Sequence, residues 1–178
     1  DFRFEPRDWP DPEGMVRELK ELGVELAVSV WPTIDEKSIN YGEMNDRGYL
    51  VKTDRASGFH MNWMGDTTFF DATHPGARQF VWDRCKENYY DKGIHCFWLD
   101  EAEPEYGPYD FDVFRYYEGP ALQCTNIYPV MYAKGFYDGL IFHRVIALLT
   151  VLLLKKRILR IAFGASLLSN NIWNVKLK

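Results

Sequence analysis

The stretch Ile94-His95-Cys96-Phe97-Trp98-Leu99-Asp100-Glu101-Ala102-Glu103-Pro104-Glu105 decides the fold. A short apolar run stops abruptly at a cluster of carboxylates. Apolar runs of this length read as buried strands. A carboxylate directly after such a strand is held by the sheet and aimed at its carboxyl end. In an α/β barrel that end carries the catalytic groups.

Working outward, Asp11-Pro12 is a helix start, an N-cap residue followed by Pro at the first helical position. Met15, Val16, Leu19 and Leu22 follow at helical spacing, and Gly23 is a stop. Val24 to Val30 reads as a strand ended by Trp31-Pro32. A second helix opens near Pro75, with Ala77, Val81, Cys85 and Tyr89 on one stripe and Gly93 at its end. Ile94 to Leu99 is the second strand. A third helix is predicted from Ile127 to about Leu140, with Ile127, Met131 and Tyr132 inward. Strands alternating with helices imply parallel βα units. The fold class is α/β, and the expected architecture is a partial (β/α)8 barrel, about two to three of its eight units. Two long connections, Trp31 to Ala72 and Pro104 to Thr125, leave the carboxyl ends of the strands. Connections of that length are functional or disordered. The first is rich in aromatic, Asp and Asn residues, which predicts an ordered loop over the strand ends.

The 178 residues are 47% hydrophobic and 16% aromatic, enough apolar material for a core. A net charge of −5 gives a nucleic-acid partner no electrostatic support. The charge is unevenly placed. All 26 acidic residues lie at or before Asp138, whereas the last 40 residues hold seven Lys or Arg and no acid. Such a step suggests two segments of different origin. The three cysteines have no metal-like spacing, and Cys96 is expected as a buried free thiol. The chain starts at Asp1 with no signal-peptide pattern, so an upstream part was removed or the chain is an excerpt.

A fixed carboxylate at Asp100 suits a nucleophile, a general base or a metal ligand. Glu101, Glu103 and Glu105 could add oxygens, but Pro104 and the alternation of side chains oppose convergence of all four, and no metal site is expected. A solvated acidic loop is the plain structural alternative. Retaining glycoside hydrolysis needs two carboxyl groups about 5–5.5 Å apart. Trp98, beside Asp100, could lie against a sugar ring or pack in the core.

WLDEAEPEYG (98–107), YDFDVFRYYEGP (109–120) and NIYPVMYAKGFYDGL (126–140) together resemble family 31 of the glycoside hydrolases. The likeness extends upstream through WPDPEGMVRELKELGVELAVSVWPTID (9–35), NYGEMNDRGYLVKT (40–53) and FFDATHPGARQFVWD (69–83). It covers residues 1–140. The family comprises retaining α-glycosidases, among them α-glucosidases and α-xylosidases. The resemblance implies hydrolysis of terminal α-linked glucose or xylose from an oligosaccharide substrate, without metal or organic cofactor. It implies that Asp100 is the nucleophile and that Glu103 is a carboxylate in the active site beside it. Trp31 would belong to the sugar-binding wall, and Trp98 would be an aromatic near the bound sugar.

The resemblance also implies an acid/base Asp in a later motif resembling WSGD, and nothing here matches it. The expectation is therefore a fragment inactive by itself. A non-catalytic carbohydrate-binding remnant and a truncated gene product are the alternatives. Residues 141–178 are expected to be an unrelated basic and apolar tail, the product of a frameshift, an intron or a mispredicted gene. Val145 to Leu154 is too short to span a bilayer. The tail reads first as a helix packed loosely on exposed barrel surface, next as an unstable or disordered segment, and last as a basic amphipathic helix at a membrane surface.

Overall fold

The computed structural model describes residues 2–54, 67–104 and 112–143. Glu105 and the predicted tail beyond His143 lie outside the described residues. The chain divides into two compact units, Asp1–Tyr137 and Asp138–Lys178. In the second, the described residues 138–143 are helical.

Helix α1 (Pro12–Glu21) starts as its sequence dictates: the Asp11 carboxylate accepts the Gly14 N–H at 2.8 Å, and Pro12 fills the first turn. The chain then leaves through Gly23 at φ +75°, a conformation glycine adopts without strain. Strand β1 (Ala27–Val30) is followed by the short strand β2 (Thr33–Asp35), helix α2 (Tyr41–Asp46), β3 (Lys52–Thr53) and β4 (Thr67–Phe69). Helix α3 (Pro75–Asn88) leads through a 3-10 turn to β5 (Cys96–Leu99). Beyond it come the strands β6 (Phe114–Tyr116) and β7 (Gly119–Pro120), helix α4 (Ala121–Cys124), a second 3-10 turn, and helix α5 over residues 128–143.

β1 and β5 pair in parallel, Ala27 opposite Cys96 through Val30 opposite Leu99. Two small antiparallel sheets, β2–β4 and β3–β6–β7, are built from the long connections. The first connection is thus ordered where it is described, as expected. The inward stripe of α3 is the predicted one: Ala77, Val81, Cys85 and Tyr89 are all buried. Trp82 extends it. Its ring meets Phe97 of β5 and Phe136 of α5 edge-on at 6.1 and 5.7 Å. Phe69, Phe70, Tyr128 and Tyr132 continue the same aromatic core.

Several expectations are corrected. β1 begins at Ala27, not Val24, and β5 at Cys96, not Ile94, because their parallel ladder is only four residues long. Leu22 is 77% exposed, since it caps α1 and has left the helical stripe. Ile127 is 39% exposed because the 3-10 turn Thr125–Ile127 breaks the helical phase. Tyr132 is buried as expected, Tyr128 and Phe136 are buried with it, and Met131 is half-buried. Cys96 is exposed rather than buried. Side chains alternate across a strand. Val28, Val30, Phe97 and Leu99 therefore occupy one face of the β1–β5 pair, the face on which Phe97 meets the helices. Ala27, Ser29, Cys96 and Trp98 occupy the other, and all four are exposed.

Candidate active site at the strand ends

The parallel ladder runs one residue past β5: the Asp100 N–H donates to the Val30 carbonyl at 3.1 Å. This fixes the Asp100 backbone against the end of β1. The next residue in each strand adds a side-chain link. Trp31 Nε1 donates to Asp100 Oδ2 at 3.0 Å. Two residues read separately from the sequence thus meet across 69 positions of chain. Glu101, directly after, has φ +51°, a left-handed conformation that turns the chain away from the strand.

Helix α5 also holds this end. The Tyr132 hydroxyl donates to the same Val30 carbonyl at 2.7 Å. One helical turn earlier, Tyr128 donates to the Phe70 carbonyl at 2.8 Å, and the Phe70 N–H in turn reaches Pro32 O at 2.9 Å. Burial pushes the Tyr132 hydroxyl well above its ordinary pKa, with the Cys85 and Asp100 charges adding to the effect, so it stays a neutral donor.

The other predicted residues are less constrained. Trp98 is 67% exposed on the uncovered sheet face, with Ser29 as its register partner. Its exposure removes the core-packing alternative. Trp31 is 40% exposed, so part of its ring is open to a ligand while its N–H is engaged. Glu103 is exposed, next to the buried Pro104. Beside Trp31 lies a cleft of about 310 Å³ lined by Phe2, Arg3, Ser29, Val30, Trp31, Thr33 and Tyr89. Among the described residues, no three His, Cys, Asp or Glu converge as metal ligands would.

Sequence reasoning missed a second aspartate. Asp71 is 3% exposed, and its carboxylate is saturated. Oδ1 accepts the Thr73 N–H at 2.9 Å and the Thr73 hydroxyl at 2.6 Å, while Oδ2 accepts the Tyr117 N–H at 2.6 Å. The Thr73 hydroxyl also accepts the Glu118 N–H at 3.3 Å. The β6–β7 turn is thereby tied to the start of α3, where the His74 Nδ1 caps Gly76 and Ala77. The available signal was Asp71-Ala72-Thr73, an Asx-turn pattern ahead of a helix. Burial raises the Asp71 carboxyl, opposed by hydrogen bonds from Thr73 and Tyr117 and by the nearby His74.

Comparison with known proteins adds identity to this geometry. The model of the glycosyl hydrolases family 31 TIM-barrel domain matches residues 1–151. An uncharacterized family 31 glucosidase of Pseudescherichia vulneris is 58% identical over 137 residues, 77% of this chain and 26% of that protein. Alpha-xylosidase A of Aspergillus niger is 31% identical over 157 residues, covering 78% of this chain and 21% of that protein. The crystal structure of a GH31 alpha-xylosidase from a soil metagenome, complexed with xylose, superposes with a TM-score of 0.74 at 55% identity. That match covers 80% of this chain and 21% of the other. The chain thus spans about a quarter or less of the length of these relatives.

Proposed function

The chain belongs to family 31 of the glycosyl hydrolases, and from that premise we propose that it carries the nucleophile half of a retaining α-glycosidase site for terminal α-linked xylose or glucose. The observation that supports this reading best is the position of Asp100. It stands one residue beyond a parallel strand, its backbone held by Val30 and its Oδ2 held by Trp31.

In this reading Asp100 attacks the anomeric carbon. The bond to the leaving oxygen breaks with its electron pair, and a glycosyl ester of Asp100 forms. Water then cleaves the ester, so two inversions give net retention. Trp98 and the open part of Trp31 flank the sugar. Glu103 lies three residues past Asp100 and adds negative charge near the developing oxocarbenium ion. The sequence holds no Asp or Glu after Asp138, and the proposed acid/base Asp has no counterpart in these 178 residues. Aryl α-glycosides, which need that proton, are therefore turned over weakly or not at all by this chain. We extend the proposal to the acid-free, basic and apolar segment 141–178 as sequence of different origin, although the family match reaches residue 151.

A fluoride leaving group needs no proton donor, so it isolates the first step. Incubation with an α-xylosyl or α-glucosyl fluoride, bearing a second fluorine to slow ester hydrolysis, should add one glycosyl mass at Asp100. Asp100→Asn should remove the label entirely. Saturable xylose binding without labelling would favour the carbohydrate-binding reading, for which the exposure of Trp98 is the supporting observation.

A further inference from the structure

We infer that Trp31 is a positioning residue that decides which oxygen of Asp100 attacks, and that Tyr132 secures it through Val30. The inference rests on the reading of Asp100 as the nucleophile. Four links define the clamp. Tyr132 donates to Val30 O at 2.7 Å, and the Asp100 N–H donates to that same oxygen at 3.1 Å. Val30 and Trp31 are adjacent, and Trp31 Nε1 closes the ring on Asp100 Oδ2 at 3.0 Å. The backbone and one oxygen of Asp100 are thus held by two consecutive residues of the neighbouring strand end.

The consequence is an asymmetric carboxylate. Oδ2 accepts the indole N–H, while among the described residues no hydrogen bond reaches Oδ1. A carboxylate fixed at its backbone alone can still rotate about Cβ–Cγ. A donor on one oxygen stops that rotation and leaves the other oxygen aimed. Oδ1 then forms the bond to the anomeric carbon and the leaving group departs with its pair. Oδ2 becomes the ester carbonyl oxygen and still accepts the same N–H. The donor therefore needs no rearrangement between the free carboxylate and the ester, which is the condition for preorganisation. A nucleophile misaimed by about an ångström can lose about 100-fold in rate.

Two measurements on the full chain test this. In the first, the indole N–H resonances are followed from neutral to acidic pH by 1H–15N NMR, Trp31 being assigned by its loss in Trp31→Phe. The Trp31 resonance should move as the carboxylate protonates, and should neither move nor keep its neutral-pH position in Asp100→Asn. The other indoles serve as folding controls. A Trp31 resonance indifferent to both changes overturns the clamp. In the second, the rate of labelling by the difluorinated α-xylosyl fluoride is compared. Trp31→Phe should label about 10- to 100-fold more slowly than the native chain, and Tyr132→Phe should fall between them. Equal rates overturn the positioning role while leaving Asp100 as nucleophile. An unlabelled native chain whose Trp31 resonance still tracks Asp100 supports the clamp and overturns the catalytic reading.

Discussion

Asp71 and Asp100 each follow a strand, the first two residues beyond β4 and the second one residue beyond β5. Asp71 is buried, and both its oxygens are filled by three donors from Thr73 and Tyr117. Asp100 is half-buried and, among the described residues, takes one side-chain donor, from Trp31, on one oxygen. The difference lies in how many lone pairs the fold itself consumes. A carboxylate whose acceptor capacity is used up by nearby N–H and O–H groups is part of the scaffold. One restrained by its backbone and a single donor keeps capacity for chemistry.

The sharpest test of this contrast is a pair of opposite phenotypes. Asp100→Asn should abolish glycosyl labelling and leave the urea midpoint close to native. Asp71→Ala should leave two N–H groups and a hydroxyl without their acceptor, and lower unfolding stability by about 3 kcal/mol in urea denaturation. If Asp100→Asn were the more destabilising change, the assignment of roles would be reversed. The tyrosines refine the comparison at smaller amplitude. Tyr128→Phe and Tyr132→Phe each remove one buried hydroxyl donor, at about 1 kcal/mol apiece by the same urea measurement. Only Tyr132→Phe should also slow labelling, since only Tyr132 shares an acceptor with Asp100.

The smallest effect concerns pH. Burial raises the Asp71 carboxyl above its ordinary value and outweighs its hydrogen bonds. A carboxyl raised on folding holds its proton more tightly in the native state. Its contribution to stability is therefore full below the unfolded-state value, about 3.9, and is lost as pH rises through the folded-state value. The unfolding free energy of the native chain minus that of Asp71→Asn should fall over this range and then level off. A difference that grew with pH would mean that the three donors outweigh desolvation.

The two aspartates also show what a linear sequence makes legible. Asp100 was visible because a four-residue parallel strand leaves a compact apolar run with an abrupt end. The α3 stripe and the Asp11-Pro12 start were visible for similar local reasons, one periodicity and one cap. Asp71 was hidden because β2, β4, β6 and β7 are two or three residues long, too short to show alternation. Its partner Tyr117 lies 46 residues away and is approached through its backbone, which no side-chain pattern reveals. The bond between Trp31 and Asp100 likewise required the β1–β5 register. The misplaced Ile127 has a simple cause: a 3-10 turn advances by three residues where an α-helix advances by 3.6.

The uncovered face of β1 and β5 has a practical consequence. Cys96 and Trp98 stand on it two residues apart, both exposed, whereas Cys85 is buried with its thiol pushed far above the ordinary range by desolvation. With the half-buried Cys124 replaced by Ser, a maleimide dye would therefore react at Cys96 and leave Cys85 untouched. The dye would sit within energy-transfer range of an indole donor on the same surface. Any sugar, strand or second polypeptide that settled there would change the light the pair emits, so the sheet carries the fittings of its own optical gauge.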